Sequence, residues 1–265
     1  MSIFNYEFMN RALWVGALVA VMSPLIGQTI VLKRMSMVGD AIAHTTLAGV
    51  AIGLILNIDP LISAMVAALI GVFLVDVLRQ RLPYYADVAI AILMSLGIGL
   101  AGTLSSFVRD TNRFSAFLFG SIVAISETEV IMITGVVIIV VIVYFIFYKE
   151  IFAMTFDETM AQHSGVNVKL VNAIFMIMLG ITLSIAAKTV GSLILSSLMI
   201  LPVATAMQLS KSYKSTLVIA FLFSLFFMLG GLFISFYAGV KPGGAVVLLA
   251  VGTYLMILPL RKGRV

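Results

Sequence analysis

Apolar residues run along this chain in long blocks, separated by short polar clusters, and the blocks are about as long as a lipid bilayer core is thick. A bilayer core takes roughly 20 residues of helix. Blocks near that length fall at 13–32, 38–57, 61–78, 88–105, 129–148, 170–187, 190–209, 216–238 and 243–260. Backbone groups in hydrocarbon must be satisfied within their own segment, so each block reads as a helix. The pattern predicts an all-α, polytopic transmembrane bundle of about nine spans. A tenth apolar segment, 114–126, is too short to cross and reads as a re-entrant or interfacial helix; if it did span, the count would change by one.

The clusters between blocks set an orientation. Eleven of the 16 basic residues, Lys33, Arg34, Arg79, Arg81, Lys149, Lys169, Lys211, Lys214, Arg261, Lys262 and Arg264, fall in one set of connections. Only Arg11, Arg109, Arg113, Lys188 and Lys241 fall on the other side. Basic residues mark cytoplasmic loops, so the N-terminus is predicted outside and the C-terminus inside. The longest polar connection, 149–169, is then cytoplasmic, and within it Asp157 to His163 reads as a short helix stopped by Gly165. No linker breaks the pattern, which predicts one membrane domain over 1–265. The first block lacks a basic leader and a small-residue cleavage site, so it reads as a retained span.

Composition agrees with the pattern and narrows the chemistry. Hydrophobic residues make up 62% and charged residues 10% of the 265 positions, against about 45–50% apolar in soluble domains; the mean hydropathy is +1.21. The net charge of +5 is scattered over span ends and follows membrane topology, which argues against a nucleic-acid partner. With no cysteine, any metal must be held by nitrogen and oxygen donors. The chain has no phosphate-binding Gly-x-x-x-x-Gly-Lys-Ser/Thr loop and no HExxH pair, and with two histidines no plausible Ser-His-Asp arrangement. It reads as a transport component and not an enzyme; if ATP drives it, another polypeptide hydrolyses the ATP.

The candidate chemistry lies in the second block. Asp40 and His44 are four residues apart, on one helical face. Ionisable groups in a span are costly and mark ion or proton paths by default. Imidazole and carboxylate suit a divalent transition metal, but two donors rarely suffice. A symmetric homodimer with this helix at its axis would supply two of each, and Thr45, Gly49 and Gly53 form a small-residue stripe suited to close helix approach. The bland reading is an Asp–His hydrogen bond near a helix start. Pro202, with Ser196 and Ser197 nearby, is the kind of break that can line an ion pathway, but a packing kink is the favoured reading, and the same holds for Pro24 with Gln28. Lys188 reads as a snorkelling or loop residue, and His163 as a solvated helix residue.

The segment Leu32-Lys-Arg-Met-Ser-Met-Val-Gly-Asp-Ala-Ile-Ala-His44, running into Leu47-Ala-Gly-Val-Ala-Ile-Gly53, resembles the signature of the membrane permease subunits of bacterial ABC importers for manganese, zinc and iron. Phe119 to Ser126, Phe156-Asp157 with Gly165, Val190 to Ile194 leading to Leu201-Pro-Val-Ala204, and Lys241 to Ala245 extend the resemblance along nearly the whole chain. Some members of that family are better described with eight spans. The resemblance implies a multi-pass protein of the bacterial cytoplasmic (inner) membrane that works as a homodimer with two cytoplasmic ATPase subunits and an extracytoplasmic metal-binding protein. It implies that Asp40 and His44 contact the transported metal and that no cofactor is permanently bound. It further implies that 149–169 docks into the ATPase, with Phe156, Asp157, Glu158, Ala161 and Gly165 as the coupling residues. Glu158 departs from the usual register of that coupling motif. The phrases His44-Thr-Thr-Leu-Ala-Gly-Val-Ala51, Tyr85-Ala-Asp-Val88 and Ser197-Leu-Met-Ile-Leu-Pro202 look more like the zinc branch than the manganese branch. A permease for a metal chelate, an ion-gradient-driven carrier or channel, and a structural scaffold are the competing readings.

Overall fold

The computed structural model describes residues 5–82, 85–121 and 125–261. Each long apolar block holds a helix. They are α1 (Glu7–Leu32), α2 (Val38–Leu56), α3 (Pro60–Arg81), α4 (Ala86–Ser105), α6 (Glu127–Ile146), α9 (Val168–Val190), α10 (Leu195–Leu209), α11 (Tyr213–Ala238) and α12 (Pro242–Ile257). Between them lie three short helices, α5 (Thr111–Phe119), α7 (Tyr148–Phe156) and α8 (Glu158–His163). Among the described residues seven helices are long and apolar enough to cross a membrane. Helices α10 and α12 have 15 and 16 residues, about 22–24 Å at the usual rise, and fall short of a full crossing by length alone.

Local chemistry explains the starts. Asp59 accepts the amides of Leu61 and Ile62 ahead of Pro60 in α3. Ser126 and Glu129 form a reciprocal capping box on α6. Asn167 and Ser212 accept first-turn amides of α9 and α11.

Three expectations change. The block at 190–209 is not one helix with a kink at Pro202. The chain breaks at Gly191 and makes a 3-10 turn at Ser192–Ile194 before α10 begins. Gly191 and Gly120, both at positive φ (101° and 77°), lie back to back. A Cβ on Gly191 would sit 2.6 Å from the Leu118 carbonyl oxygen, and one on Gly120 2.6 Å from that of Val190. Only glycine fits this crossing of the α5 and α9 ends. The expected short, non-crossing helix in 114–126 is α5, of nine residues, which tucks Phe117 against Leu47, Ala48 and Ala101; residues 122–124 of that segment lie outside the described residues. The connection 149–169 holds two helices, since α7 precedes the expected one and buries Ile151 and Met154.

The third change concerns the small-residue stripe. Thr45, Gly49 and Gly53 do not face outward; they seat α3 of the same chain. A Cβ on Gly71 would lie 3.0 Å from Thr45 Cγ2, one on Gly49 2.6 Å from the Ser63 carbonyl oxygen, and one on Gly53 2.7 Å from Ser63 Oγ. Small residues let helices approach in a membrane whichever chain supplies the partner. Gly49→Leu should therefore cost about 1–3 kcal/mol of stability through overpacking, read as earlier thermal unfolding of the purified chain in detergent. Unchanged stability would mean the stripe faces lipid.

Helices α1, α2 and α9 are the most enclosed, and α4 and α6 the least. The outer helices expose Ile92, Leu96, Ile131, Ile139 and Ile142, an apolar girdle that lipid satisfies and water would not. Charges gather at the two ends. At the Lys33 end, Lys33, the residue that caps the end of α1, meets Glu158 of α8 at 2.8 Å. At the Glu127 end, Arg11 of α1 meets Glu127 of α6 at 2.8 Å.

Candidate functional site

Asp40 stands in the first turn of α2 and His44 one turn further on, both half-buried. Two glycines bring neighbouring helices against this turn. Gly97 of α4 lies so close that a Cβ there would fall 2.8 Å from the Thr45 amide nitrogen and 3.0 Å from His44 Cβ. Gly39 faces the start of α10, its Cβ position 3.4 Å from Ser196 Cβ. Among the described residues neither Asp40 nor His44 makes a hydrogen bond or ion pair, and no third His, Asp or Glu joins them in a metal-holding group. The Asp–His hydrogen bond of the bland reading is therefore not formed. What the protomer presents is a carboxylate and an imidazole one turn apart, accessible and incomplete as a coordination shell.

The expected coupling residues are brought together at the Lys33 end. Asp157 caps α8 through the amides of Thr159 and Met160. Glu158 pairs with Lys33, Ala161 is the buried residue of the helix, and Phe156 stands 62% exposed. Gly165, at φ 86°, closes a Schellman motif in which its amide donates to the Gln162 carbonyl and that of Val166 to the Ala161 carbonyl. His163 is exposed, as expected. An aromatic cluster backs the short helices. Tyr213 at the start of α11 has its ring 4.9 Å from Phe152 and 6.0 Å from both Tyr148 and Phe156. Burial, and after it the nearby Tyr213, push the Tyr148 phenol above its ordinary value, so it stays a neutral hydroxyl. No hydrogen bond or ion pair among the described residues joins this group to Asp40 and His44.

Lys188 is the residue whose expected role fails. Its side chain is 10% exposed and forms a close ion pair with Glu129, itself 15% exposed. The ammonium also lies 5.6 Å from the centre of the Phe117 ring. Glu129 spends its other oxygen on the Ser126 amide at 2.9 Å, so one carboxylate joins α6, α9 and the α6 cap. The pair lines a recess of about 560 Å³ at the Glu127 end, together with Arg11, Asp59 and Arg113. A lysine inside the apolar run Ile185-Ala-Ala-Lys-Thr-Val190 was the available signal.

Similarity to known proteins agrees with this architecture. The chain is 31% identical over 94% of its length, and 89% of the relative's, to the manganese transport system membrane protein MntC of Listeria monocytogenes. It is 30% identical to the high-affinity zinc uptake system membrane protein ZnuB of Haemophilus influenzae, covering 97% of this chain and 98% of that one. Its fold superposes on a chain of PsaBC from Streptococcus pneumoniae, solved in complex with Fab, with a TM-score of 0.86 and 29% identity over 96% of this chain and 91% of that one. Residues 5–261 match the ABC 3 transport family, and the chain belongs to that family of multi-pass membrane permeases.

Proposed function

We propose that this permease carries a divalent transition metal, zinc in the first place, across the bacterial cytoplasmic membrane. We place the translocation site at Asp40 and His44 of two copies meeting at a dimer axis. The observation that carries the reading is a carboxylate and an imidazole on α2 that make no hydrogen bond or ion pair among the described residues, two donors that need two more. A second copy supplies them and makes a four-coordinate nitrogen and oxygen set. The names of MntC and ZnuB support a metal cargo, one manganese and the other zinc. At such a set the affinity order places zinc above manganese.

In this reading the Lys33 end is cytoplasmic and the N-terminus lies outside. Separate ATPase subunits dock on 149–169 through Phe156, Asp157, Glu158, Ala161 and Gly165, and an extracytoplasmic metal-binding protein delivers the ion. ATP binding drives the switch between outward-open and inward-open states, and the chain itself has no phosphate loop with which to hydrolyse it. The test is uptake of zinc and of manganese into vesicles holding the whole complex, with and without ATP. ATP-dependent zinc uptake that manganese competes with weakly is the expected result. Uptake of manganese in preference to zinc would move the cargo to that metal. Flux through vesicles holding this chain alone would overturn ATP-driven transport in favour of a gradient-driven carrier.

A further inference from the structure

Tyr213 is the first residue of α11 and touches more separate elements than its position at a helix start requires. Its ring packs edge-on against Tyr148 and Phe152 and lies 6.0 Å from Phe156, three aromatic residues of α7. Its hydroxyl is 3.3 Å from that of Tyr144 in α6. Its carbonyl accepts a 2.9 Å hydrogen bond from Gln28 Nε2 in α1. Gln28 lies one turn beyond Pro24, the point at which α1 loses an internal hydrogen bond. One turn further along, at the end of α1, Lys33 reaches back to Glu158 of α8.

These contacts close a loop. Starting from α8, Glu158 leads to Lys33 and along the last turns of α1 to Gln28; Gln28 leads to Tyr213, and Tyr213 to Phe156 and back to α8 through Asp157. Three members of the loop, Gln28, Tyr213 and Phe156, line a small recess of about 170 Å³ together with Leu32, Met207 and Thr216. Edge-on ring pairs hold a defined geometry, and close-packed side chains transmit displacement because they do not compress. Most of α8 is exposed, with Ala161 its buried residue. A force applied to α8 reaches α9 directly, since the two helices pack together, and at this corner it has two further ways into the bundle, the half-exposed Lys33–Glu158 pair and the ring cluster. Glu158 stands in solvent, which screens and weakens the pair. The ring cluster is the stiffer route.

We infer that Tyr213 is the positioning residue that carries movement of the α7–α8 pair into α1 and α11, so that an event at the docking face is felt along two long helices. The inference rests on the reading that an ATPase docks on α8. It predicts that loss of the Tyr213 ring separates ATP hydrolysis from transport, which a merely stabilising residue would not do.

The experiment compares the whole reconstituted complex carrying wild-type permease, Tyr213→Phe, Tyr213→Leu or Gln28→Leu, measuring ATP hydrolysis and zinc uptake in the same vesicles. Tyr213→Leu keeps apolar volume and the carbonyl that Gln28 uses, and removes the ring. It should hydrolyse ATP near the wild-type rate while uptake per ATP falls by roughly 2- to 30-fold, the range that coupling networks show. Tyr213→Phe, which keeps the ring, should stay near wild type. Gln28→Leu, which cuts the link to α1 and keeps its volume, should lower the same ratio, and it decides the matter if Tyr213→Leu fails to assemble. An unchanged ratio in an assembled Tyr213→Leu complex, or in Gln28→Leu where only that assembles, overturns the inference. Absence of ATP-dependent uptake in the wild-type complex would instead overturn the transport reading beneath it.

Discussion

His44→Ala should abolish metal uptake while the permease still folds and assembles. The reason lies in what the side chain does not do. Among the described residues His44 makes no hydrogen bond or ion pair, and it is only half-buried, so removing the imidazole takes little from the protomer's stability. At a dimer axis the same substitution takes two donors out of four. Loss of an outer partner of a metal ligand already costs about 10–100-fold in affinity or activity, and loss of the ligand itself should cost no less. Asp40→Asn, which keeps shape and removes the negative charge, should have a comparable effect, because a divalent ion in a low-dielectric span needs charge compensation. Uptake measured against the amount of assembled complex checks both. Wild-type uptake in both variants would show that the pair is structural and that the ion passes elsewhere. Loss of assembly in His44→Ala, with uptake per assembled complex unchanged, would make His44 an interface residue and not a ligand.

The sequence carried the helices well because a membrane span is written as a continuous apolar run and needs no partner to be recognised. It carried their interruptions poorly. The break at Gly191 lies in Val190-Gly-Ser-Leu-Ile194, four of whose five residues are apolar or glycine, so hydropathy runs straight through a turn that depends on the opposed Gly120. Lys149 and Glu150 made α7 look like a polar connection, whereas Ile151, Met154 and the ring of Phe152 pack it into place. The stripe of Thr45, Gly49 and Gly53 announced close packing but not the identity of its partner, which is α3. The stripe is therefore spent inside the chain and is not free for a contact between copies. That Asp40 and His44 stand one turn apart on α2 was legible from spacing alone, since four residues is about one helical turn. Lys188 stood out as a lysine in an apolar run and Tyr213 did not, but the partners that give each its meaning lie far along the chain, 59 residues away for Glu129 and 69 for Tyr144.

Breaking the pair of Lys188 and Glu129 from one side should destabilise the permease by about 3–5 kcal/mol, whichever partner is removed, because the charge left behind is buried and uncompensated. Lys188→Met leaves a carboxylate in the recess without its ion-pair partner, and Glu129→Gln leaves an ammonium without its own, beside the Phe117 face. Glutamine is the right replacement at 129, since it keeps an acceptor for the Ser126 amide and so preserves the α6 cap. The double variant Lys188→Met, Glu129→Gln removes both charges and should recover most of the loss, because exchanging a buried pair for uncharged groups is often close to neutral. Unfolding of the four proteins in detergent gives the cycle, and a large non-additive term is the expected result. Small, additive effects of under about 1 kcal/mol would mean that water fills the recess and screens the pair. The two outcomes describe different entrances at the Glu127 end. In the first, the pair clamps α6 to α9 beside α5, and any opening there must first break it. In the second, the recess is already a wet vestibule, and a cation can enter it without disturbing the helices.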